Sequence, residues 1–447
     1  GYKFLDDYEI WINEKKLDRS SALSVVVYPD YLKRLYADGI VEELRLVDSI
    51  PLFSVTILSP DAVHVDVIPL FSDGQSEHEF VTRFREGCAL IARKKHLVRT
   101  EKEPYPVWLA MHGTGFLPQK KFTTRGSLFS PIMAASRRGT IHTLAFSVAD
   151  TPEDAQQNAV EYIQRKELFH QRRRERMEQL LQETFVQTEN ADFNKALAWA
   201  KLSLDALIMN QRMKGIFAGL PWFNNYWGRD TFIALPGATL VQGRFTEAKE
   251  ILKSFAAHQH KDSNSSDYGR IPNIITTTER AYNTADATPR FVMMAREYVE
   301  RSGDTTFLRE MYPTIVGSIE GTLRYHCDSL GFLTHADAET WMDAVGPDGP
   351  AAGNSAAAWA VLDEHHPPAA ATASSAAAGD VAGRVARHAA AAVAAVAAVG
   401  VDDAAGADDD GVGDQVHDSA SDSAVASGAS GVAAPGLLES PAGAPAP

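Results

Sequence analysis

The sequence predicts a multidomain β + α protein: an N-terminal antiparallel β-sandwich followed by paired helices of the α/α-toroid type. Three observations predict it. Residues 1–150 carry short runs rich in Val, Ile, Leu and Thr, broken by Pro, Asp, Gly and Ser at sandwich-like spacing. At Thr151 the apolar pattern changes to a helical period, which continues to about residue 330. From about residue 351 Ala, Gly, Ser, Asp and Val take over, and 351–447 reads as a low-complexity, largely disordered tail.

The elements follow in order. SALSVVVYP, LRLVDSIPLFSVTIL, AVHVDVIPLF, CALIARKKHLVRT, PVWLAMHG and TIHTLAFSVAD read as strands. Val63, Val65 and Val67 alternate with His64 and Asp66, the two-residue period of a half-buried strand. Thr-Pro-Glu-Asp at 151–154 is a helix start: a hydroxyl cap, Pro in the first turn and acids at the positive dipole end. The charged stretch 151–188 then reads as a linker helix. Within 189–350 the candidate helices are 192–211, 230–241, 245–258, 287–302 and 305–325. In the first of these Phe193, Leu197, Leu202, Leu204, Leu207 and Ile208 are expected to face inward. Gly243 and Gly303 fall where helices should stop.

Bulk properties narrow the function classes. A chain of 447 residues is long enough for two or three domains. The formal net charge is −15, of which residues 351–447, with 12 acids and 2 arginines, supply −10. That balance argues against a nucleic-acid partner, since phosphate binding needs a concentrated basic surface. No run is apolar enough to suggest a membrane partner, and the first residues do not resemble a secretory leader. Cys88 and Cys327, far apart, read as two free thiols of a cytosolic protein. The fourteen His residues lack the His-x-x-x-His spacing of a helical zinc site, His258 and His260 read as solvent-facing, and no dinucleotide or Walker motif occurs. No cofactor and no metal are expected.

The chemistry concentrates in three stretches. PWFNNYWGRD at 221–230 sets Trp222, Phe223 and Trp227 beside Arg229 and Asp230. Aromatic rings stack on the C–H faces of a sugar, while guanidinium and carboxylate take paired hydroxyls. The plainer alternative makes these aromatics core and Arg229–Asp230 a local ion pair. RIPNIITTTERAYNTADATPRF at 270–291 supplies Asn273, Tyr282, Asn283 and Asp286, as sugar ligands or, singly, as cap and turn residues. ETWMD at 339–343 sets Asp343 beside Trp341, where low polarity raises a carboxyl pKa toward that of a general acid. A helix N-cap is the alternative for Asp343.

Four ordered motifs, GLPWFNNYWGRDTFIALPG, GRIPN, AYNTADATPRF and ETWMDAVGPDGP, resemble the amylo-α-1,6-glucosidase domain of glycogen-debranching enzymes, of the compact bacterial and archaeal kind. The likeness covers about 190–350 strongly and the β-rich part more loosely. It implies an (α/α)6 barrel that hydrolyses the α-1,6-linked glucose left at a trimmed branch of glycogen, limit dextrin or another branched α-glucan. It also implies inversion, with one carboxylic acid protonating the glycosidic oxygen and a second carboxylate activating water. By that resemblance Asp343 is the acid, and Arg229 and Asp230 grip the glucose. Asp286 matches a further acidic position of that site, as a ligand or with a catalytic part, and Trp227 and Trp341 are the stacking walls; Asn273 and Tyr282 stand as candidate ligands from the residue reading above.

The chain departs from the family after GPDGP. The family's general base is expected further downstream, and nothing in 351–447 matches its motif; neither Asp363 nor Glu364 has supporting context. The helical domain is therefore expected to be incomplete. Two other readings remain open beside the debranching glucosidase. One is a related α/α-barrel exo-glucosidase or disaccharide phosphorylase, which linkage preference and a phosphate requirement would separate. The other is a catalytically inactive glucan-binding protein.

Overall fold

The computed structural model describes residues 5–72, 76–97, 106–276, 279–329, 331–336 and 339. Its first part consists of two antiparallel sheets. The larger has eight strands in the order Ser24–Val27, Leu32–Leu35, Val41–Leu46, Leu52–Val63, Gly139–Ala149, Trp108–Gly113, Cys88–Arg93 and Phe80–Arg85. The smaller has five: Phe116–Arg125, Leu128–Ser136, Val65–Leu70, Asp7–Ile12 and Lys15–Lys16. A short helix, α1 (Lys94–Leu97), follows one edge region of the larger sheet.

The valine alternation holds as a burial pattern but not as a single strand. Val63 ends a strand of the larger sheet, opposite Gly139, whereas Val65 opens a strand of the smaller sheet, opposite Ile12. The chain changes sheets at His64, yet Val63, Val65 and Val67 all enter one core shared with Tyr8, Ile57, Leu109 and Phe146. Side chains from two inner faces interdigitating in this way define a sandwich. Within it Glu42 is fully buried, accepting from the Tyr8 hydroxyl at 2.8 Å, from Tyr36 at 2.9 Å and from Arg34 at 2.9 Å. A buried carboxylate needs such a set of donors to offset its lost hydration.

The helix predicted at Thr151 is α2 (Pro152–Gln182). The Thr151 hydroxyl accepts from the Asp154 amide at 3.1 Å, and Pro152 occupies the first turn, where its missing N–H costs nothing. Its first half lies on the outer face of the larger sheet. Cys88, Leu90 and Ala92 point to that face and pack with Ala155, Ala159, Tyr162 and Phe169 of α2, while Ala89 and Ile91 point into the sandwich. Strand Cys88–Arg93 is thus buried on both sides, which is why it reads as a continuous apolar run.

At this junction the Tyr162 hydroxyl lies 2.5 Å from Ser54 Oγ and 2.7 Å from His170 Nε2. Burial, then the charges of Arg45, Lys166 and Arg174, lower the His170 pKa from 6.5 to about 4. The folded state therefore holds fewer protons than the unfolded chain between pH 6.5 and about 4, so stability falls as pH falls through that window. Because the ring is partly exposed and its interactions are screened by water, His170 should account in urea unfolding for about 1–2 kcal/mol of the loss, less than the ~3 kcal/mol of the full shift. A His170→Phe variant should show a correspondingly flatter pH dependence.

Beyond α2 come α3 (Ala191–Leu207), α4 (Gly228–Ala238), α5 (Phe245–Ala256), α6 (Ala287–Ser302) and α7 (Thr305–Tyr325). All five predicted helices are present, and Gly243 (φ 72°) and Gly303 (φ 70°) take the left-handed conformation that ends the segments before them. Phe232, Leu235, Ile251, Phe255, Phe291, Tyr298 and Phe307 pack together, with Phe232 edge-on to Phe255 at 5.0 Å and to Phe291 at 5.7 Å.

Two expectations are corrected here. Phe193 is 49% exposed rather than inward. The buried side of α3 carries Lys201 and Asp205, the latter accepting from Arg176 at 2.7 Å and pairing with Arg244 at 3.1 Å. At a helix's roughly 100° per residue Phe193 is turned well away from both. The segment between α3 and α6 is also not purely helix and loop. It contains a five-stranded antiparallel sheet of Ile208–Asn210, Lys214–Gly219, Phe223–Trp227, Ile274–Ile275 and Arg280–Ala281. Among the described residues no helix is long and apolar enough to cross a membrane.

Candidate active site

The sheet delivers two sequence-distant stretches to one place. Trp227 ends strand Phe223–Trp227 opposite Ile274, and the next residue opens α4. The Gly228 amide donates to the Asn273 carbonyl at 2.6 Å, and the Arg229 amide to Asn273 Oδ1 at 3.1 Å. Asn273, only 1% exposed, in turn donates its amide to the Ala281 carbonyl at 2.8 Å. Position 228 must be glycine: a Cβ there would stand 2.5 Å from the Pro272 carbonyl oxygen, closer than van der Waals contact allows.

Arg229 is buried, and its Nε donates to Asp286 Oδ2 at 2.7 Å. Asp286 occupies the N-cap position of α6, but its side chain caps nothing; it turns to Arg229 instead, with Arg290 Nε 3.7 Å from the same oxygen. The cap alternative for this residue is thereby answered, and so is the Arg229–Asp230 ion pair, since the guanidinium pairs with Asp286. Asp230 lies half-buried in the first turn of α4. Two buried polar atoms at this point, Asp286 Oδ1 and Trp227 Nε1, have no hydrogen-bond partner among the described residues. Unpaired buried donors and acceptors are uncommon and ask for a functional account.

Sequence reasoning missed two residues. Arg229 Nη2 donates to the Glu339 carbonyl at 3.3 Å, which also accepts from the Ala285 amide at 3.0 Å. Glu339 Oε1 lies 3.4 Å from Nη1 of Arg270, a buried arginine that also donates to the Tyr282 carbonyl. Arg270 Nη2 meets His326 Nδ1 at 3.1 Å, and His326 Nε2 meets the Ser266 carbonyl at 2.9 Å. Arg270 Nε also lies 2.9 Å from His326 Nε2, so a neutral ring, with one nitrogen accepting from the guanidinium, suits this environment better than a charged one. Burial, and next the Arg270 charge, lower the His326 pKa in agreement with that form. Arg270 was visible in GRIPN and Glu339 in ETWMD, but no local pattern signals a contact 69 residues apart.

The structure thus brings Trp227, Arg229, Asn273 and Asp286 together. Tyr282 sits to one side: its hydroxyl donates to the His258 carbonyl at 2.8 Å and its ring is edge-on to His260 at 5.2 Å. Burial raises its pKa. His258 and His260 are half-buried in this packing rather than solvent-facing, with Arg280 Nε 2.9 Å from His258 Nδ1. Asn283 is exposed. Trp341 and Asp343 lie outside the described residues, as does the whole 351–447 tail.

Residues 162–360 match the family described as amylo-alpha-1,6-glucosidase. Over this segment the chain is similar to that family. A glycogen debranching enzyme of Saccharomyces cerevisiae is 33% identical over 105 residues, 22% of this chain and 6% of that much longer protein. The chain therefore matches only a small part of that relative's length. Among solved structures, a bacterial glucoamylase complexed with acarbose is similar at a TM-score of 0.46 and 12% identity, over 72% of this chain and 53% of the other. A family GH92 α-mannosidase from Bacteroides thetaiotaomicron is similar at a TM-score of 0.38 and 11% identity, over 64% and 45% of the two chains. The family-matched segment holds every element of the candidate site, from Trp227 to Glu339.

Proposed function

We propose that this chain hydrolyses α-1,6-glucosidic branch linkages in glycogen, limit dextrin or a similar branched α-glucan. The observation that carries the reading is the Arg229–Asp286 pair, with Asp286 turned from its own helix toward a buried guanidinium beside Trp227. A fixed guanidinium–carboxylate pair, with an indole two residues before the arginine in the chain, offers a glucose ring both hydroxyl partners and a stacking face. Asp230, Asn273 and Tyr282 stand in this reading as further ligands, and Trp341 as the second wall.

Asp343 is the proposed general acid. Its chain distance supports this: the Glu339 carbonyl is held by Arg229, and four further residues span at most about 14 Å. The acid would protonate the leaving glycosidic oxygen while a second carboxylate activates water on the opposite face, inverting the anomeric centre. That base is not assigned to any residue. The proposed architecture is an (α/α)6 barrel of which residues 189–350 form the first part, preceded by a sandwich domain (1–150) and a joining helix (151–188). The setting is cytosolic, with no nucleic-acid or membrane partner and no cofactor.

The test is a linkage panel with product stereochemistry. Glucose released from α-1,6-branched substrate in preference to maltose, without added phosphate and initially as the β-anomer, is the expected result. Preference for α-1,4 linkages would favour the exo-glucosidase reading, and a phosphate requirement the phosphorylase. Glucan binding without release in any arm would favour the inactive binding protein.

A further inference from the structure

Trp222 is 83% exposed, the most exposed large apolar side chain among the described residues. It is flanked by Phe223 at 57% and, across the turn, by Leu220 at 46% exposure. Leaving an indole and a phenyl ring in water forgoes the burial that normally places such residues inside, so an exposed cluster of them marks a contact surface. The core alternative for these rings, open in the sequence, does not hold.

Strand geometry says where the surface leads. In strand Phe223–Trp227 successive side chains alternate, and Tyr226 points into the core against Phe217 at 5.0 Å. Phe223 and Trp227 share the opposite face, their rings edge-on at 6.5 Å. An aromatic face therefore runs from Trp227, adjacent to the Arg229–Asp286 pair, to Phe223 and on to Trp222 in the preceding turn. Asn225, half-buried, sits on the same face between the two rings. Flat rings with neighbouring amides are the chemistry of a pyranose platform: C–H faces stack, and hydroxyls find donors and acceptors.

We propose that the Trp222–Phe223 turn is a second sugar-binding platform, holding glucose units of the α-glucan beyond the terminal one gripped at Arg229. This rests on the proposed glucan substrate and adds the subsite that takes the rest of the chain. Continuity with the candidate site selects a glucan over a second copy of this chain as the occupant.

The experiment is affinity electrophoresis of the full chain in gels cast with glycogen, comparing wild type, Trp222→Ala and Trp222→Tyr. Because the side chain is exposed, both variants should keep the wild-type melting temperature. Trp222→Ala should weaken apparent glycogen affinity about three- to tenfold, and Trp222→Tyr should restore most of it. Wild type not retarded by glycogen, or Trp222→Ala retarded equally, overturns the platform. A concentration-dependent dimer abolished by Trp222→Ala, with unchanged glycogen mobility, would assign the surface to a second copy and also overturn it. Glucose release is assayed separately: Trp222-dependent retardation without release would defeat the hydrolase reading and leave the platform standing.

Discussion

Asp286→Ala is expected to destabilise the protein by about 3–5 kcal/mol, because it removes the anion between two guanidiniums and strands a buried charge. The Arg229 side chain is 9% exposed and that of Asp286 1%, so water cannot replace the lost partner. Arg290, 3.7 Å away, loses the same counter-charge. Denaturant unfolding would register this as a lower midpoint with an unchanged slope. Asp286→Asn separates stability from chemistry. It keeps the shape and one acceptor, so the unfolding cost should fall to about 1–3 kcal/mol while sugar binding weakens sharply. A variant as stable and as tightly binding as wild type would remove Asp286 from the site.

Arg229→Lys should reduce kcat/KM on a branched substrate by about 10²–10³ while leaving a folded protein. The arginine makes two divergent contacts at once, Nε to Asp286 and Nη2 to the Glu339 carbonyl. A lysine ammonium is a single point charge on a flexible stem and cannot hold both in the same geometry. Since the second contact holds the Glu339 carbonyl, four residues before the proposed acid Asp343, kcat should fall more than KM rises. An increase in KM with kcat unchanged would instead mean that Arg229 contributes uniform binding only.

Where local chemistry decided a feature, the sequence was sufficient to read it. Thr151–Pro152 starts a helix because a hydroxyl and a fixed φ act within one turn, and Gly243 and Gly303 end segments because left-handed backbone suits glycine. The sandwich was legible from two-residue alternation, although the change of sheet at His64 was not, since burial on a shared core keeps the period intact. The strands around Trp227 were missed for the opposite reason: runs of two to six residues carry too little period to be seen. At the site, the residue types pointed to Arg229 and Asp286, while their pairing depends on Asn273 and Ile274 delivering one stretch to the other. The contact between Arg270 and Glu339 was not legible, because long-range ion pairs leave no local pattern. Phe193 was misplaced because the first turns of α3 lie outside the core, whereas Leu204, Leu207 and Ile208 pack against it as the apolar spacing predicts, beside the buried charges Lys201 and Asp205.

The most direct measurement is glucose released from a branched limit dextrin by the purified chain and by its Asp343→Asn variant, with melting temperatures compared. The account predicts release by the wild type that falls by about 10³ or more in an equally stable variant, since an amide cannot protonate the leaving oxygen. Undiminished release by Asp343→Asn, or no release by a folded wild type, would contradict it.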